Sequence, residues 1–599
     1  KEIVMSLIMK LSAAQVAAKL KFIKHYIQSN NPADGSTVDA NANISHKNVA
    51  TLAQEIHKDI NIQLNRALMT QKITELYDAE LAQEYLRQLE THEIYKHDET
   101  HPFFPYCASI TLYPFLLNGL TTLGGESLAP KHLDSFCGSF VNLVFAISAQ
   151  FAGACGTPEF LLYFDYFARR DYGAEYLTTH ANEVANHLQH VVYALNQPAA
   201  ARGYQSIFWN MSVFDTDFLQ SLFAEFVFPD GEKPNFASVL QLQEFFLTWF
   251  NQERTKAILT FPIVTAAMLI SEQQPKDKVF AYMCAEQMQA GNSFFIYMSE
   301  SVDSLSSCCR LRNEISDNTF SNTSGAGGVA TGSINVITLN MNRLVQDNRD
   351  LLNEIRKIHK YHIAYRKIME DFLAADLLPA YTAGYINLNK QFLTIGINGM
   401  LEAAESQGLL PGNNLEYMNF VQAQLEIIYK ENRCAAKEYG YLFNTEFVPA
   451  ENLGVKNAQW DKHAGYLVKR ECYNSYFYPV EQNEVNLVDK FLLHGREMTR
   501  YLDGGSALHL NTDNYLTVNG YLKLFNLAAT TGCNYWTTNV KVTFCCECGA
   551  VNKLTLDYCT ICSSTSVKHA TRVIGYLKLI DNFSAQRRVE EKMRYYHKI

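Results

Sequence analysis

Two pairs of cysteines near the C-terminus constrain the fold of this chain more than any other feature of its sequence. Cys545 and Cys548 form one C-x-x-C pair, and Cys559 and Cys562 form a second pair after a short polar spacer. Four thiolates at this spacing suit a tetrahedral zinc ion, and such sites stabilise small folds with little apolar core. The sequence therefore predicts a four-cysteine zinc ribbon, with Cys546 as a bystander thiol. Buried structural thiols or a redox-active pair are the alternative interpretations.

The composition is that of a large enzyme in a reducing compartment. The chain has 599 residues, of which 48% are hydrophobic, with 14 cysteines and a formal net charge of -10. The acidic balance argues against binding to a nucleic-acid polymer, and the scattered cysteines do not form a secreted disulfide framework. Lys10, Asn142 and Gln150 interrupt the apolar stretches, so neither a signal peptide nor a membrane span is predicted. We therefore expect a soluble cytoplasmic protein.

A glycine follows the cysteine pairs within a short apolar run. Gly575 lies in RVIGYL, and the charged segment SAQRRVEEKMRYYHKI follows it. The α-hydrogen of glycine has no side chain to shield it, and the glycine backbone tolerates tight loops. Taken alone, however, Gly575 is more simply interpreted as a turn glycine.

Three further stretches contain reactive residue types. Cys107 ends IYKHDETHPFFPYC, the vicinal Cys308 and Cys309 precede a loop rich in Ser, Gly and Thr, and Glu446 lies in NTEFVPAEN with Glu451 as the alternative. A reactive thiol needs a mobile mount that faces a pocket, which a loop of this composition provides. Each also has a structural interpretation: a buried small apolar residue for Cys107, a flexible surface loop for the cysteine pair, and a solvated carboxylate for the glutamate.

These motifs, in their order along the chain, resemble those of the anaerobic ribonucleotide reductases, the oxygen-sensitive glycyl-radical class. PYC, CCRL with its glycine-rich turn, N-x-E-x-x-P-A-E, and the cysteine pairs followed by RVIGYL all occur in the family order. The resemblance covers most of the chain after Asp39. It implies an α/β fold, a ten-stranded α/β barrel of two five-stranded halves with surrounding helices. A cysteine loop threads the centre, and a small C-terminal zinc ribbon and a glycyl-radical loop complete the chain.

The resemblance also suggests the domain boundaries. Residues 1–38 form an N-terminal helical extension, which is too short to hold the full ATP-binding regulatory domain of larger reductases. Residues 39–540 form the barrel. Residues 541–568 form the zinc ribbon, and residues 569–599 form the glycyl-radical loop and the C-terminal tail.

The family implies a catalytic role for each candidate residue. Gly575 carries the stable radical, and Cys309, or Cys308 as the second choice, becomes the thiyl radical that takes the 3'-hydrogen of the ribose. Glu446 accepts the proton of the 3'-hydroxyl as a general base. Cys107 protonates the departing 2'-hydroxyl and supplies reducing equivalents. Radical chemistry is needed because abstraction of an unactivated C–H hydrogen lies outside the reach of acid–base side chains.

Partners and effectors follow from the same resemblance. A radical-S-adenosylmethionine activase with a [4Fe-4S] cluster generates the radical, ATP or a deoxynucleoside triphosphate is the allosteric effector, and the protein is a homodimer. The substrate is a ribonucleotide, expected as the triphosphate. The formate-using branch has an asparagine in an N-L-G-V-like run, where this chain has Gly332-Ser333-Ile334-Asn335. A thioredoxin- or glutaredoxin-like reductant is therefore predicted, with formate as the alternative.

Two polar loops are candidate substrate-binding segments, because backbone amides and hydroxyl groups in such loops can hold phosphates. The first, in YNSYFYPV, contributes Asn474 and Ser475, and the second, in DGGSALHLN, contributes Gly504, Gly505 and Ser506.

One helix carries three histidines that resemble a metal site only superficially. His180, His187 and His190 lie on adjoining helical faces, but no carboxylate or cysteine joins them at ligand spacing. The pattern favours a packed or solvated helix face.

Two other functional classes are compatible with parts of the sequence. A different glycyl-radical enzyme, such as an acyltransferase or a lyase, shares the radical glycine but is not expected to carry a zinc ribbon at this place. A non-enzymatic zinc-ribbon protein that binds nucleic acid is disfavoured by the acidic charge and by the long body of the chain.

Overall fold

The computed structural model describes residues 11–28, 47–101, 103–199, 205–292, 294–302, 304–308, 311–314, 330–448, 452–482, 484–573 and 575–599. Of residues 205, 304–308 and 311–314 it describes the backbone. The strands in chain order are β1 Ile94–Lys96, β2 Cys107–Ser109, β3 Cys155–Gly156, β4 Pro198–Ala199, β5 Gln205–Ser206, β6 Trp209–Phe214, β7 Ile263–Ser271, β8 Gln274–Pro275, β9 Phe295–Ser299, β10 Ser304–Cys308, β11 Leu311–Glu314, β12 Thr331–Asn340, β13 Gln391–Asn398, β14 Leu442–Phe447, β15 Leu508–Thr512, β16 Tyr535–Val540, β17 Val542–Cys545, β18 Val551–Asn552, β19 Val567–Arg572 and β20 Leu577–Leu579.

The helices in chain order are α1 Ala13–Gln28, α2 Val49–Leu76, α3 Ala79–Glu90, α4 Tyr113–Asn118, α5 Leu133–Ser148, α6 Phe160–Tyr172, α7 Tyr176–Thr179, α8 Ala181–Leu195, α9 Thr216–Phe223, α10 Phe236–Glu253, α11 Lys278–Gln289, α12 Met341–Gln346, α13 Leu351–Ala374, α14 Pro379–Thr382, α15 Met400–Ser406, α16 Leu415–Tyr439, α17 Leu453–His463, α18 Leu487–Leu493, α19 Arg496–Thr499, α20 Val518–Thr531 and α21 Ala585–Met593. Short 3-10 turns lie at Thr121–Leu123, Leu388–Lys390 and Ile580–Asn582.

Ten strands form one path of hydrogen-bonded neighbours, in the order β14-β13-β12-β2-β3-β6-β7-β9-β16-β15. The strands from β2 to β9 along this path are parallel to one another. Strands β12, β13 and β14 are also parallel to one another, and β15 is parallel to β16. The direction reverses where β12 meets β2 and where β9 meets β16. The path therefore consists of parallel groups joined by two antiparallel seams.

The two ends of this path are joined by main-chain hydrogen bonds. Glu446 of β14 forms a parallel bridge with Gly505, just before β15. The amide of Phe447 donates to the Gly505 carbonyl at 3.0 Å, and the amide of Gly504 donates to the Thr445 carbonyl at 2.8 Å. A glycine is required at 504 because a Cβ there would lie 2.7 Å from the Thr445 oxygen. Strands β12 to β16 thus form a second group of five, which is the connectivity of the predicted barrel.

Helices provide the crossovers that parallel strands need. The two long helices α13 and α16 pack against each other, and they lie on β12 and β14 respectively. The side chain of Asn414 caps the start of α16 by accepting from the Tyr417 amide, and Gly440, at a φ of 73°, ends that helix. Large side chains such as Trp209 and Trp536 are fully buried between the strands and the helices.

A hairpin of β10 and β11 lies between β9 and β12 in the chain. The backbone of β10 contacts β2, β3, β6, β7 and β9, and that of β11 contacts β12. A short hairpin that reaches five strands of one parallel group has the placement expected of the cysteine loop that enters the barrel.

The C-terminal part forms a small sheet of its own in the order β18-β17-β19-β20. Its apolar core consists of four residues, Val542, Val551, Ala570 and Leu577. Strand β19 runs across position 568, where we predicted the boundary between the ribbon and the glycine loop. The cysteine pairs and the glycine loop therefore share one sheet.

At the other end of the chain, α1 packs against α2. The Tyr26 hydroxyl donates to Thr51 Oγ1 at 2.8 Å. Within the described part of the chain, none of the helices combines the length and the apolar character needed to cross a membrane.

Candidate active site and metal centre

The four predicted cysteine ligands converge at one point of the small sheet. The sulfur atoms of Cys545, Cys548, Cys559 and Cys562 all lie within 4.8 Å of one another. The Cys545–Cys562 and Cys548–Cys559 sulfur distances are 3.5 and 3.7 Å. These distances fit a tetrahedron of thiolates at about 2.3 Å from zinc, whose edges are about 3.8 Å. Cys546 is exposed and lies outside the cluster, as predicted.

Main-chain amides prepare this cluster for a cation. The amides of Cys562 and Ile561 lower the pKa of the Cys559 thiol to about 6, whereas the neighbouring thiols raise the pKa values of Cys548 and Cys562. The Asn552 side-chain amide also points at the Cys559 sulfur, at 3.7 Å. Because a metal binds the thiolate form, donors aimed at the sulfur favour the liganding state. The donor set and its spacing therefore fit a structural zinc ion.

Gly575 lies in the turn that joins β19 to β20. The turn is closed by a hydrogen bond from the Val573 amide to the Tyr576 carbonyl at 3.0 Å. Arg572, which is buried, donates from its guanidinium to the Gly575 carbonyl at 2.7 Å. Tyr576 packs edge-on against Phe208, with ring centroids 5.0 Å apart. The Arg572 guanidinium also lies 4.8 Å from the centroid of the Phe295 ring on β9, so the turn is anchored to the barrel on both sides of the glycine.

The conformation of this turn does not itself require glycine. Gly575 is buried, but a Cβ built at this position meets no heavy atom of the described residues within 4 Å. Its φ is not among the positive values found at fourteen other glycines. Since neither packing nor backbone strain excludes a side chain, the reason for a glycine here is not conformational.

The C-terminal tail holds the same turn from the other side. Arg594, just after α21, donates to the carbonyls of Arg572 and Val573 at 2.7 and 2.8 Å. Its guanidinium also pairs with Glu590 at 2.8 Å. Although burial opposes ionisation of Glu590, the nearby Arg594 and Arg587 keep its pKa below the usual value. The sequence shows this tail only as a charged helix, because nothing local reveals which carbonyls its arginines reach.

Cys107 and Ser333 face each other across the seam between β2 and β12. Cys107 is 1% exposed. Ser333 shares a hydrogen bond of 2.8 Å with the Thr394 hydroxyl on β13. Thr394 is in turn the register partner of Asn444 on β14. One row of side chains therefore runs across four neighbouring strands from the Cys107 thiol to the Asn444 amide.

This row faces the interior of the barrel. Thr445, the residue between Asn444 and Glu446, accepts a hydrogen bond of 2.9 Å from Asn432 on the surrounding helix α16. Successive residues of a strand point to opposite faces, so Asn444 and Glu446 face inward. Both are buried, with exposures of 0% and 5%. The predicted general base and the predicted cysteine thus line the same inner surface.

The predicted substrate loops lie beside the C-terminal end of β14. Phe477 stacks on Phe447 with ring centroids 4.5 Å apart. The Asn474 amide and side chain both donate to Glu402, at 3.0 and 3.5 Å, and burial raises the pKa of that carboxyl to about 7. Asn474 is therefore used to hold its own loop, whereas the buried Ser475 hydroxyl has no hydrogen-bond partner in the described ranges.

The Gly504 and Gly505 amides, which we predicted to bind phosphate, both donate to main-chain carbonyls. They donate to the carbonyls of Thr445 and Leu502, at 2.8 and 2.9 Å, so they are occupied in closing the strand path. The two amides therefore contribute to barrel closure, and phosphate binding by this loop stays a prediction. Ser506, the third residue of this prediction, is buried next to them.

Several predicted residues fall at the limits of the described structure. Cys308 ends β10, where the backbone alone is described. Cys309, the first choice for the thiyl radical, and Glu451, the alternative base, lie outside the described residues.

The histidine-bearing helix α8 has packing contacts and no metal cluster among its described residues. His180 stacks on Tyr172 with ring centroids 4.7 Å apart, and His187 shares a hydrogen bond of 3.1 Å with the Tyr172 hydroxyl. The histidines of this helix are therefore partly packed against α6, as predicted.

Comparison with known proteins identifies the class that these features define. The sequence model of the anaerobic ribonucleoside-triphosphate reductase family matches residues 55–597. The chain belongs to this family of oxidoreductases, and the resemblance found in the sequence motifs is confirmed. Among curated protein sequences, none matches this chain.

Solved structures of the same class share the fold. One described as an anaerobic ribonucleotide reductase has a TM-score of 0.85 and 26% identity, with 98% of this chain and 93% of that chain covered. The Thermotoga maritima anaerobic ribonucleotide reductase in complex with dATP and CTP has a TM-score of 0.82 and 26% identity, with 98% and 100% covered. The same enzyme with dATP bound in the specificity site gives a TM-score of 0.82, 26% identity, and coverage of 97% and 100%.

Proposed function

We propose that this protein reduces ribonucleoside triphosphates with a radical that starts on Gly575 and passes through a cysteine of the β10–β11 hairpin. The observation that carries this proposal is the environment of Gly575. The turn is buried and held by Arg572 and Arg594, yet neither its packing nor its φ requires a glycine. The chemistry of the α-hydrogen accounts for a glycine at a position where the described residues supply no conformational reason for one.

The hydrogen transfers follow a defined order. The activase removes one hydrogen atom from the Gly575 Cα, and the Gly575 radical then takes the S–H hydrogen of Cys309, or of Cys308 as the second choice. The resulting thiyl radical takes the ribose 3'-hydrogen. The transfer from the ribose to the thiyl radical is nearly thermoneutral because the S–H and ribose C–H bonds are of similar strength.

Loss of the 2'-hydroxyl needs one base and one acid on the inner surface of the barrel. Glu446 takes the proton of the 3'-hydroxyl while Cys107 gives its proton to the departing 2'-hydroxyl, which leaves as water. A ketone radical remains on the sugar. The hairpin cysteine that is not the thiyl gives its S–H hydrogen atom to C2', and its sulfur joins the Cys107 thiolate as a disulfide radical anion. This anion returns one electron to the 3'-ketone, which regains its proton from Glu446, and a disulfide remains. The thiyl cysteine finally returns its hydrogen to the 3'-carbon.

A thioredoxin- or glutaredoxin-like protein restores the thiols. Asn335, the asparagine near the start of β12, bonds to His362 of the outer helix α13 at 3.2 Å, whereas the inward residue beside Cys107 is Ser333. An inward thiol without an inward asparagine at this position supports a thiol reductant over formate. Turnover with thioredoxin and its reductase, compared with turnover on formate, tests this choice.

The zinc ion and the nucleotides have separate roles. Zinc, held by the four cysteines, keeps β17 and β19 in place and so fixes the turn that carries Gly575. The Thermotoga maritima enzyme was solved with dATP and CTP. By analogy we assign CTP as one substrate of this chain and dATP as an allosteric effector, on a homodimer activated by a radical-S-adenosylmethionine enzyme.

Anaerobic electron paramagnetic resonance after treatment with the activase tests the radical directly. The native chain should give a glycyl doublet, and Gly575→Ala should give none while melting at the native temperature, since a Cβ is accommodated. Gly138→Ala is the matched control, because a Cβ there also meets nothing within 4 Å. A doublet that persists in Gly575→Ala would show that the radical lies elsewhere.

A further inference from the structure

The inner face of β14 carries a buried amide for which the reaction scheme has no role. Asn444 is 0% exposed, and neither its Oδ1 nor its Nδ2 has a hydrogen-bond partner among the described residues. Leaving a buried polar group unpaired destabilises a fold, and native structures rarely do so without a reason. An amide kept in this state is available to a ligand.

The surroundings of Asn444 locate that ligand. The side chain faces the barrel interior, two residues before Glu446 on the same face of β14. Its Cγ lies 3.2 Å from the position that a Cβ on Gly504 would occupy, so a glycine there leaves room beside the amide. Its register partner Thr394 bonds to Ser333, the residue opposite Cys107. The amide therefore lies between the predicted acid and the predicted base.

The chemistry of the amide restricts what it binds. A carboxamide offers one acceptor oxygen and two N–H donors, which complements a hydroxyl group that both donates and accepts. Residues i and i+2 of a strand are about 7 Å apart on one face, so the Asn444 and Glu446 side chains can reach neighbouring atoms of one sugar. We propose that Asn444 binds a ribose hydroxyl of the substrate and orients the sugar between Glu446 and Cys107. This inference rests on the proposed function.

A second buried asparagine provides a matched control. Asn432 is 1% exposed and is fully engaged, since its Nδ2 donates to Thr445 and its Oδ1 bonds to His359 at 2.7 Å. It lies outside the barrel and contacts β14, the strand that carries Asn444, through its hydrogen bond to Thr445. The same substitution at the two positions therefore separates a ligand-binding amide from a structural one.

The test measures binding to the radical-free protein, so it does not depend on activation. CTP, its 2'-deoxy analogue and its 3'-deoxy analogue are titrated by calorimetry into the full chain with dATP at saturation, which keeps the effector site filled. In the native protein, removal of the hydroxyl that Asn444 binds should weaken binding about tenfold, as expected for one hydrogen bond within a buried site. In Asn444→Leu the removal of that hydroxyl should leave the affinity for the nucleotide unchanged. The melting temperature of this variant should equal or exceed the native value.

Asn432→Leu should show the reverse pattern. Its melting temperature should be lower than the native value, and the ratio of the affinities for CTP and for its deoxy analogues should equal the native ratio. If the leucine side chain at 444 excludes the nucleotide sterically, Asn444→Ala gives the same comparison with a smaller side chain. If an Asn444 variant binds CTP with the native ratio of affinities for CTP and its deoxy analogues, the inference is overturned and the proposed function is left intact. A native chain that binds no CTP would overturn the assignment of CTP and the inference together.

Discussion

The glycine turn and the inner face of β14 are both buried, but they differ in whether their polar groups have hydrogen-bond partners. At the turn, the carbonyls of Arg572, Val573 and Gly575 all accept hydrogen bonds from arginine side chains. On β14, the Asn444 amide has no partner within the described ranges. The first region is held in place from several directions, and the second retains unused hydrogen-bonding capacity. A buried region with satisfied polar groups is a support, and one with unsatisfied groups has the character of a binding surface.

The largest effect on the support is expected from loss of zinc. Cys559→Ser should abolish stoichiometric zinc and loosen β17 to β20, because structural zinc binding contributes on the order of 10 kcal/mol to such small folds. Hydrogen exchange should rise at least about 100-fold at residues 567–579 and remain native at residues 442–447, whose strand pairs do not include the ribbon. Cys546→Ser, outside the cluster, should retain zinc and native exchange. Equal loosening of β14 would contradict the separation of the two regions.

A smaller and more local effect is expected from Arg594→Ala. The change removes two hydrogen bonds to main-chain carbonyls and one partner of Glu590, in a pair whose side chains are 5% and 12% exposed. Breaking a buried ion pair costs about 3–5 kcal/mol, here confined to the turn and the tail. Exchange at Tyr576 and the lifetime of the glycyl radical are the measurements. The control is Lys592→Ala, which changes an exposed residue of the same helix. If Arg594→Ala leaves hydrogen exchange at the turn at its native rate, zinc alone holds the glycine.

The smallest effect is a pH dependence of the tail. Burial, with the neighbouring Lys490, lowers the pKa of His597 to about 4, and its Nε2 lies 2.8 Å from Lys490 Nζ. A released tail has an ordinary histidine pKa of about 6.5 and binds more protons than the docked tail between these values. Docking is therefore fully stabilised above about pH 6.5 and weakens as the pH falls towards about 4.

Limited proteolysis after the exposed Lys592 measures this release across that window. Cleavage should increase as the pH falls in the native chain, and His597→Asn should remove the dependence. His463→Asn, an exposed histidine on α17, is the control. A pH profile unchanged in His597→Asn would assign the effect to another group.

Parts of the site were predictable because they depend on local spacing. The two C-x-x-C pairs bring their sulfur atoms together through short knuckles, so the cluster follows from positions a few residues apart. The order of the four motifs predicted the family that the match over residues 55–597 confirms. Strand alternation likewise indicates that Asn444 and Glu446 share a face.

Other parts were not predictable, because they depend on which segments meet in space. Nothing in the sequence indicates that the amides of Gly504 and Gly505 donate to the carbonyls of Thr445 and Leu502 and so close the strand path. Arg594 appears in the sequence as one charge in a charged tail, and only packing brings it to the carbonyls before Gly575.

The sequence by itself determined the four-cysteine cluster, the position of the candidate radical glycine and the membership of a reductase family, since these reside in short patterns of residue type and spacing. The tertiary structure decided which polar groups are satisfied. Asn432 and Asn444 are both buried asparagines, and the residue type does not show which of them has hydrogen-bond partners. One meets Thr445 and His359, and the other meets no described partner, because hydrogen bonding depends on distances between segments remote in the chain.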